Sequence, residues 1–456
     1  MRTTDYNQGK SVDDIKEGDD NIEDLQQIAN KKIADIKPDE YPNLLMFPRD
    51  WKLSADNVSG QEIFSLNDNK LETKNIMGFI GRNKTNLTIT SRFIKDGSKD
   101  DADDYLLHYM LQKVMKINIL DLGRSGDKKD IWNDLLIFLF PLFLNRALSQ
   151  GLYKEYKRNE YNDANVRGVI DVKRHLCVNN PFSGKVAYST REYSYDNPVM
   201  QIIRHTIEYI KTGKYNYVLT ADHDTFSNVN QIIYATPRYN KNNRQNVIGV
   251  NQNKLVVHPY FTEYKALQRL CIRILSNEKI STNNEKEKIH GILFDGAWLW
   301  EEYLNTVLAD KGFCHSNSKT GKNGYKLFAN YSNKIYPDFI KKTEPIIADA
   351  KYKRIERYLG NRETDDRRND NSDYYQMIAY MYRFACKTGY LIFPYAGEKD
   401  IELKEKAILE GFDDHKGGES KIVILGLKIP QATEITSFHT FQTEMGDSEK
   451  KLKEIF

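Results

Sequence analysis

The chain has 456 residues and a formal net charge of +3, with 40% hydrophobic, 12% aromatic and 29% charged residues. This length predicts two or three domains with sizeable cores, and the balanced charge excludes binding of nucleic acid through overall charge alone. Any contact with DNA must therefore come from local basic patches.

The cysteines and the apolar runs restrict the class of protein further. The four cysteines are far apart and show no paired spacing, which excludes a disulfide framework and a cysteine-ligated zinc site. The N-terminus lacks the apolar core of a signal peptide. The most apolar run, Leu135–Leu144, is too short to span a bilayer and contains Pro141, so it predicts a buried helix. We expect a cytoplasmic protein that does not enter a membrane.

The N-terminal part of the chain is predicted to contain a tail, a helix and a small β domain. Residues 1–20 are polar with few apolar anchors, which is typical of a flexible tail. A helical pattern of apolar residues begins at Asn21 and stops at Lys37-Pro38. Residues 42–95 carry short strand-like runs between turn signals, which indicates a sandwich or barrel-like β domain.

The middle of the chain is predicted to be mostly helical, with a β-rich insertion. Residues 212–256 are rich in Asn, Tyr and Lys, which indicates turns and exposed surface. The polar stretch Ser276–Lys288 marks the expected boundary between two halves. Helices are predicted at Tyr105–Ile119, Asp130–Gln150, Pro198–Lys211 and Tyr264–Leu275, and strands of the insertion at Gly168–Val172 and Lys185–Tyr193.

The last part of the chain has the order helix, three strands, helix, strand, which predicts one compact α/β domain. These elements are predicted at Ile289–Leu308, Lys326–Tyr331, Ile335–Lys342, Pro345–Arg354, Asp373–Lys387 and Tyr390–Tyr395. A charged insertion at Glu398–Gly418 and a last strand at Lys421–Ile429 follow them. The fold class predicted for the whole chain is therefore α/β and α+β multidomain. Its predicted segments are a tail and helix in 1–40, a β and helical region in 41–275, and an α/β domain with a mixed sheet in 289–456.

The second and third of these strands form a hairpin that places charges in an apolar core. If Thr343-Glu344 is its two-residue loop, Asp338 lies directly opposite Asp349. Asp349 and Lys351 are two residues apart on one strand and project from the same face. Two carboxylates and an ammonium then meet in apolar surroundings, where charges are costly unless they bind a metal or do chemistry.

Each of these residues taken singly is better explained by an ion pair at the end of a sheet. Similar acid-x-Lys triplets occur elsewhere in the chain, where they are expected to be surface charge. The whole ordered set of residues, however, favours a role in catalysis or metal binding over a purely structural role. Several other residues are expected to be structural: His205, His258, Trp298, Trp300, Tyr374 and Tyr375.

The order of charges in the hairpin resembles the motif of the PD-(D/E)xK nuclease superfamily. Pro337-Asp338 matches its first acid, and Asp349-Ala-Lys351 matches its second acid and its lysine. The resemblance implies that Asp338 and Asp349 bind Mg²⁺, or Mn²⁺ as a substitute, with the Ala350 carbonyl as a further ligand. It also implies that Lys351 orients or activates the attacking water and stabilises charge on the phosphate.

Residues outside the hairpin extend this resemblance. In the phrase W-E-E-Y, Glu301 matches the catalytic glutamate of the leading helix, which assists metal binding, and Glu302 is the alternative. Gln376 and Tyr380 match the Q-x-x-x-Y element of the RecB-like branch, which implies that they position the DNA backbone or brace the lysine. The basic residues expected to contact DNA phosphates are Lys351, Lys353, Arg354 and Arg357.

Phrases in the first half resemble the N-terminal region of McrC proteins, and with the nuclease motifs the similarity covers most of residues 75–395. These phrases are Met77–Gly81, Leu87–Phe93, Asp104–Leu111, Arg167–Asp171 and Tyr188–Tyr193 with Asp196-Asn197. McrC is the nuclease subunit of the McrBC modification-dependent restriction system and works with McrB, an AAA+ GTPase hexamer. Arg82, Lys84 and Arg92 lie in the matching stretch. They are interpreted either as contacts to the partner or as solvated charges on strands.

The resemblance implies a Mg²⁺-dependent endonuclease that cleaves double-stranded DNA after assembly with a McrB-like AAA+ GTPase hexamer. The region 41–275 is implied to dock on that GTPase and stimulate it. The chain has no G-x-x-x-x-G-K-[ST] loop, so GTP is expected to be bound by the partner. Two other functions stay open: a non-cleaving subunit that activates an AAA+ NTPase, and a stand-alone RecB-like nuclease, against which the long N-terminal half argues.

Overall fold

The computed structural model of this protein describes most of the chain. The described residues are 1–16, 21–36, 40–41, 44–48, 60–83, 85–93, 104–115, 128–220, 222–276, 289–316, 324–359, 370–399, 401–409, 417–431, 435 and 437–456. The chain divides into two compact units: unit 1 comprises Met1–Arg124 with Thr282–Phe456, and unit 2 comprises Ser125–Ser281.

The fold is mixed α/β with several sheets, as the sequence predicts. The strands are β1 (Arg2–Thr4), β2 (Gln8–Ser11), β3 (Leu44–Phe47), β4 (Phe64–Asn67), β5 (Lys70–Thr73), β6 (Ile76–Arg82), β7 (Thr85–Thr90), β8 (Glu155–Asp163), β9 (Val169–Ile170), β10 (Val186–Ser194), β11 (Ile289–Asp295), β12 (Phe313–His315), β13 (Tyr325–Lys326), β14 (Lys334–Ile335), β15 (Phe339–Lys341), β16 (Ile346–Ala350), β17 (Thr388–Tyr395), β18 (Ile401–Leu409) and β19 (Gly417–Lys428). The α-helices are α1 (Val12–Ile15), α2 (Ile22–Gln26), α3 (Tyr105–Met115), α4 (Lys128–Leu148), α5 (Val172–Val178), α6 (Pro198–Thr212), α7 (His223–Ala235), α8 (Arg244–Asn253), α9 (Thr262–Leu275), α10 (Gly296–Leu308), α11 (Glu356–Leu359), α12 (Asp370–Phe384) and α13 (Phe438–Glu454).

One sheet of unit 1 has five strands in the order β1-β7-β6-β11-β3. Strand β11 is antiparallel to β6 and parallel to β3, so a strand from late in the chain lies inside a sheet built from early residues. The prediction of a helix starting at Ile289 is wrong here. Nearly all side chains of β11 are buried on both faces, a pattern that sequence alone does not separate from a buried helix. The helix begins at Gly296, where the Asp295 carboxylate accepts hydrogen bonds from the backbone N–H groups of Ala297 and Trp298.

The N-terminal segment is folded, so the prediction of a flexible tail over 1–20 is wrong for its described part, 1–16. Strand β1 pairs in parallel with β7, and β2 pairs antiparallel with β5. Asp5 and Asn7 are buried, and each is hydrogen bonded: Asp5 accepts from the Arg92 backbone N–H, and Asn7 donates to a carbonyl of β5. Buried polar residues that are satisfied in this way leave no apolar pattern in the sequence.

The helix predicted from Asn21 is much shorter than expected. Helix α2 ends at Gln26, and a single 3₁₀ turn, Ile33–Asp35, follows. Between them Asn30 adopts a left-handed φ of 60°, which a right-handed helix cannot contain. The predicted stop at Lys37-Pro38 lies outside the described residues.

The second large sheet of unit 1 has six strands in the order β12-β15-β16-β17-β19-β18. Strands β16, β17 and β19 are parallel to one another, whereas β15 forms an antiparallel hairpin with β16. The sheet is therefore mixed, as predicted. One of its faces packs in a core that includes Ile347, Leu391 and Ile424, together with Met377 and Met381 of α12.

Several predicted elements of this sheet differ from the structure. The predicted strand Ile335–Lys342 is interrupted around Pro337, which has no N–H to donate to a ladder. Only the first part of Pro345–Arg354 is a strand, and Lys326–Tyr331 is reduced to β13. The predicted insertion Glu398–Gly418 contains β18, an edge strand with alternating exposure that pairs with β19. Helix α13 was not predicted.

Helix α13 ties together two other helices of unit 1. The Glu449 carboxylate accepts hydrogen bonds from the hydroxyls of Tyr109 on α3 and Tyr303 on α10, at 2.7 and 2.9 Å. Lys113 Nζ lies 3.0 Å from the other oxygen. A buried carboxylate with three partners is satisfied, so it fixes the position of α10, the helix that carries Glu301.

Unit 2 is mostly helical, with one sheet in the order β8-β10-β9. The prediction that 212–256 forms exposed turns is wrong, since this stretch contains α7 and α8. Their apolar residues Val229, Ile232 and Val247 are buried. The Asn-rich composition is misleading because some of these side chains connect helices: Asn251 is buried and donates to a backbone carbonyl of α6.

The two compact units differ from the predicted segments 1–40, 41–275 and 289–456. Because β11 pairs with β6 and β3, residues 1–124 belong with the last part of the chain and not with the helices that follow them. In the part of the chain that the structure describes, no helix is long and apolar enough to cross a bilayer.

Gly78 tests the close approach of β6 and β11. Its φ of 125° is rarely adopted by L residues, and a Cβ there would lie 2.2 Å from the Ile292 carbonyl oxygen. We expect Gly78→Ala to lower the free energy of unfolding by at least about 2 kcal/mol, because strain and the clash separate the two strands. The shift of the urea unfolding midpoint measures this loss.

Gly446→Ala in α13 is the matched control, since nothing lies within 4 Å of its Cβ position. Replacing glycine inside a helix should stabilise the protein by about 0.5–1 kcal/mol. A Gly78→Ala protein that unfolds at the wild-type urea concentration would contradict the packing of β6 on β11.

Candidate active site

The β15–β16 hairpin has the register that the sequence predicts. Phe339 pairs with Ala348 and Lys341 pairs with Ile346, and continuing this register by one pair places Asp338 opposite Asp349. The last paired residues are Lys341 and Ile346, so the turn is longer than the predicted two residues. Its centre is still Thr343-Glu344, as predicted. Asp338, directly before β15, and Asp349, on β16, therefore lie at the same height of the sheet.

Asp338, Asp349 and Lys351 meet at this end of the hairpin. Asp338 Oδ2 accepts a hydrogen bond of 2.7 Å from the Ala350 backbone N–H, which ties it to β16. The Asp349 side chain is buried, and its Oδ2 lies 2.5 Å from Lys351 Nζ. The three charges that the sequence singles out are thus brought together in low-dielectric surroundings.

The electrostatics of this group favour an additional cation. Burial raises the pKa of the Asp338 carboxyl, and the neighbouring carboxylates of Asp349 and Glu301 raise it further. Lys351 and the Ala350 N–H lower it, yet the net result is a pKa well above the usual range of an aspartate. Ionisation of Asp338 is therefore costly in this position, and a further cation beside it would stabilise the ionised form.

Lys351 is held as a cation by the surrounding carboxylates. Burial favours the neutral amine, but Asp349, Asp373 and Asp338 together raise its pKa above the ordinary value of a lysine. Its Nζ also donates a hydrogen bond of 3.0 Å to Gln376 Oε1. Lys351 is therefore a fixed positive charge and hydrogen-bond donor in this arrangement and not a free base.

Gln376 and Tyr380 form the brace that one of the sequence-based alternatives describes. Gln376 Nε2 donates to the Tyr380 hydroxyl at 2.9 Å, and this hydroxyl lies 3.4 Å from the Tyr336 carbonyl oxygen. Burial raises the pKa of Tyr380 to about 12, so its hydroxyl keeps its proton and donates. The chain of hydrogen bonds orients the Gln376 amide with its oxygen toward Lys351.

Asp373, which the sequence analysis did not single out, lies between two of the predicted basic residues. Its Oδ1 is 3.4 Å from Lys351 Nζ, and its Oδ2 accepts from Lys353 Nζ at 2.6 Å and from the Tyr358 hydroxyl. Asp373 precedes Gln376 by three residues, a spacing that puts both on one face of α12. That spacing is the signal in the sequence that could have revealed it.

Glu301 and Glu302 reach the site from α10 and share one neighbour, His315. His315 Nδ1 donates to the Asp338 carbonyl oxygen at 2.9 Å, and its Nε2 lies 3.6 Å from Glu301 and 3.8 Å from Glu302. Burial lowers the His315 pKa, but the two glutamates outweigh it and the net pKa is raised. Glu301 is among the charges that raise the pKa of Asp338.

His315 itself could not be found from the sequence. It lies on β12 opposite Phe339, with the two rings stacked at a centroid distance of 5.5 Å. Its contact with the acids depends on the pairing of β12 with β15, which no local pattern predicts.

The donor groups fit a hard divalent ion. Within the described ranges, no three His, Cys, Asp or Glu side chains are placed to enclose a metal ion. The available set is the carboxylates of Asp338 and Asp349 and the Ala350 carbonyl, leaving the other positions to water, which suits the oxygen-rich, partly hydrated coordination of Mg²⁺. The pKa of Asp338 is raised, and such an ion would lower it by stabilising the carboxylate.

The remaining predicted residues lie outside this group. Arg354 is exposed, Lys353 is paired with Asp373, and Arg92 is buried against Asp5, so it is not a solvated strand charge. Lys84 lies outside the described residues, and Arg82 pairs with Asp24.

The residues expected to be structural divide into two groups. His205 is buried, and burial lowers its pKa to about 4; Trp300 is buried and donates to the Ile392 carbonyl oxygen. His258 accepts hydrogen bonds from two backbone N–H groups of its own loop. Tyr375, in contrast, is 68% exposed, so packing does not explain it.

Residues 71–394 match the family model described as McrBC 5-methylcytosine restriction system component. The chain belongs to this family. This confirms the recognition made from the motifs. No curated protein sequence matches the chain.

The solved structures similar to this chain include two that each share 15% sequence identity with it. One is a chain of the refined half-complex from the tetradecameric assembly of Thermococcus gammatolerans McrB AAA+ hexamers with bound McrC, with a TM-score of 0.49 and 100% of both chains covered. The other is a chain of the Thermococcus gammatolerans McrBC complex, with a TM-score of 0.32, covering 68% of this chain and 87% of that one.

Asp373→Asn tests whether this carboxylate holds the two lysines in place. Burial raises the Asp373 pKa, but Lys351, Lys353 and the Tyr358 hydroxyl outweigh it, and the net pKa lies below the usual 3.8. A carboxyl whose folded-state pKa is lowered contributes stability above its unfolded-state pKa and loses it as the pH falls. We expect the variant to be about 3 kcal/mol less stable at neutral pH, with the difference shrinking below about pH 4.

Thermal unfolding of both proteins across this pH range measures the effect. Asp447→Asn is the matched control, since Asp447 pairs with Lys450 on the exposed surface of α13, and its unfolding midpoint should stay at the wild-type value. A difference between wild type and Asp373→Asn that stays constant with pH would show that its charge is not what stabilises the site.

Proposed function

We propose that this chain is the metal-dependent DNA endonuclease subunit of a two-component McrBC-like restriction system, with a PD-(D/E)xK nuclease domain in 289–456. The observation that carries the proposal is the convergence of Asp338, Asp349 and Lys351 on one end of a buried hairpin. Membership in a family of restriction-system components supports the same interpretation.

Hydrolysis of a phosphodiester needs a nucleophilic water at neutral pH and neutralisation of a highly anionic transition state. A bound Mg²⁺, or Mn²⁺ in its place, would supply both effects. Asp338, Asp349 and the Ala350 carbonyl would hold it, and Glu301 would act through a bound water. Lowering of the Asp338 pKa on ion binding would leave both acids ionised for this role.

Lys351 would bind the scissile phosphate. Because three carboxylates keep it protonated, its part is to donate a hydrogen bond and a positive charge to the phosphate oxygens and to orient the water. Gln376 and Tyr380 hold its Nζ in one position, which limits the reorganisation needed during the reaction.

The proposed partner is an AAA+ GTPase hexamer of the McrB kind, and the proposed substrate is double-stranded DNA in the cytoplasm. The similar Thermococcus gammatolerans structures are of McrB AAA+ hexamers with bound McrC and of the McrBC complex. The absence of a G-x-x-x-x-G-K-[ST] loop from the sequence supports binding of GTP by the partner. The part of the chain proposed to dock on the GTPase and stimulate it lies within 41–275.

Asp349→Asn and Lys351→Ala are expected to lower DNA cleavage by about 100-fold or more, because each removes a charge used in the transition state. Stimulation of the partner's GTP hydrolysis should be unchanged, since neither residue belongs to the proposed docking region within 41–275. Cleavage of supercoiled plasmid and phosphate release are measured together, with partner, GTP and Mg²⁺. Chelation of the metal should stop cleavage, and added Mg²⁺ should restore it.

Lys421→Ala is the control, because Lys421 is a partly exposed lysine of β19 whose Nζ pairs with Glu405, away from the acids of the hairpin. It should cleave at the wild-type rate. Undiminished cleavage by both active-site variants would exclude the assigned site. Stimulated GTP hydrolysis without any cutting by the wild type would favour a non-cleaving activator, and cutting without the GTPase would favour a stand-alone nuclease.

A further inference from the structure

A basic pocket of 660 Å³ lies next to the candidate active site in unit 1. One wall comes from the N-terminal segment, including Tyr6 and Lys10, and the other from the residues that follow β16, including Lys353, Arg354 and Arg357. No acidic side chain is among the described residues that line it. The site residues described above do not include the N-terminal wall.

The charges in this pocket are unequally neutralised. Arg92 lies 3.3 Å from Asp5, and Lys353 pairs with Asp373. Lys10 and Arg354, in contrast, are exposed and form no ion pair in the described ranges, and only the charge of Arg354 is near enough to the buried Asp5 to interact with it. The pocket therefore has an excess of positive charge located on its two opposite walls.

Arg92 contacts both walls of the pocket and fixes their relative position. Its guanidinium donates to the Tyr352 carbonyl oxygen and, at 2.9 Å, to Asn75 Oδ1. It also lies 4.8 Å from the ring centroids of Tyr6 and Tyr352. Because Arg92 is almost fully buried, these contacts fix the N-terminal wall relative to the chain leaving β16.

The second wall begins two residues beyond Lys351. The two ammonium groups lie close together, because Asp373 contacts Lys351 Nζ at 3.4 Å through one oxygen and Lys353 Nζ at 2.6 Å through the other. A polyanion whose scissile phosphate sits at Lys351 would place a neighbouring phosphate close to this pocket. Lys and Arg with Tyr, Asn and Gln side chains are the groups that proteins use to contact DNA phosphates and sugars.

We propose that the pocket binds a backbone phosphate of the cut DNA strand, next to the scissile phosphate. Lys10 and Arg354 are the principal cations that bind it. The N-terminal segment is then part of the DNA-binding surface. This inference rests on the proposed nuclease function, and it adds to that function a substrate contact from the first sixteen residues.

Binding of a labelled DNA duplex to the full chain tests the proposal, measured in EDTA so that no strand is cut. Each phosphate interaction that a substitution removes should reduce the slope of log Kobs against log salt by about 0.9 between about 50 and 200 mM salt. We expect this reduction for Lys10→Gln and for Arg354→Gln, on two unrelated DNA sequences alike, and about twice the reduction for the double variant. Lys32→Gln, an exposed lysine of the N-terminal part outside the pocket, should keep the wild-type slope.

Two results would overturn the inference. One is a wild-type slope for Lys10→Gln when Arg354→Gln is reduced, because the N-terminal wall would then not contact DNA. The other is binding of inorganic phosphate or a free nucleotide that requires Lys10 while DNA binding does not, which would assign the pocket to a small anion.

Cleavage of plasmid by the wild type, measured in parallel, separates the two proposals. A wild-type slope for Lys10→Gln beside normal cleavage removes the pocket assignment and leaves the nuclease intact. No cleavage by the wild type in the presence of partner, GTP and Mg²⁺ removes the nuclease and, with it, the assignment of the pocket to the cut strand.

Discussion

The structure around the hairpin depends on the cost of placing two carboxylates opposite each other in an apolar sheet. Asp338 and Asp349 cannot both ionise there without a counter-charge, as the raised pKa of Asp338 shows. Lys351 provides part of that charge, and it is held by Asp373 and by Gln376. A hairpin with this many buried charges persists only where many surrounding contacts hold it in place. Such an arrangement is typical of a reaction centre and not of a stabilising core.

The positions of these groups are set by residues far from them in the sequence. Helix α10, which carries Glu301, is fixed through Glu449 of α13, and the chain beyond β16 is fixed through Arg92. Neither contact touches the acids directly. The geometry of the site is therefore a property of the whole of unit 1, where helices and strands from both ends of the chain pack on one another.

The sequence could predict what depends on local periodicity. Alternation along two strands and the centre of their turn indicated the register that brings Asp338 opposite Asp349, and helical spacing placed Gln376 and Tyr380 on one face. It could not predict His315, whose role requires the pairing of β12 with β15. It also failed for the N-terminal segment, where buried polar groups are satisfied by hydrogen bonds and leave no apolar pattern.

The pairing of β11 with β6 and β3 has a consequence for the order of folding. All of unit 2 separates β6 from β11 in the sequence, so the five-stranded sheet stays incomplete until β11, its last strand in the chain, has been synthesised. Unit 2 is continuous in the sequence and can fold while the earlier strands of the sheet are not yet paired with β11. Closing such a long loop is slow, and the open edge of β6 is exposed to wrong pairing for as long as translation of the intervening residues takes.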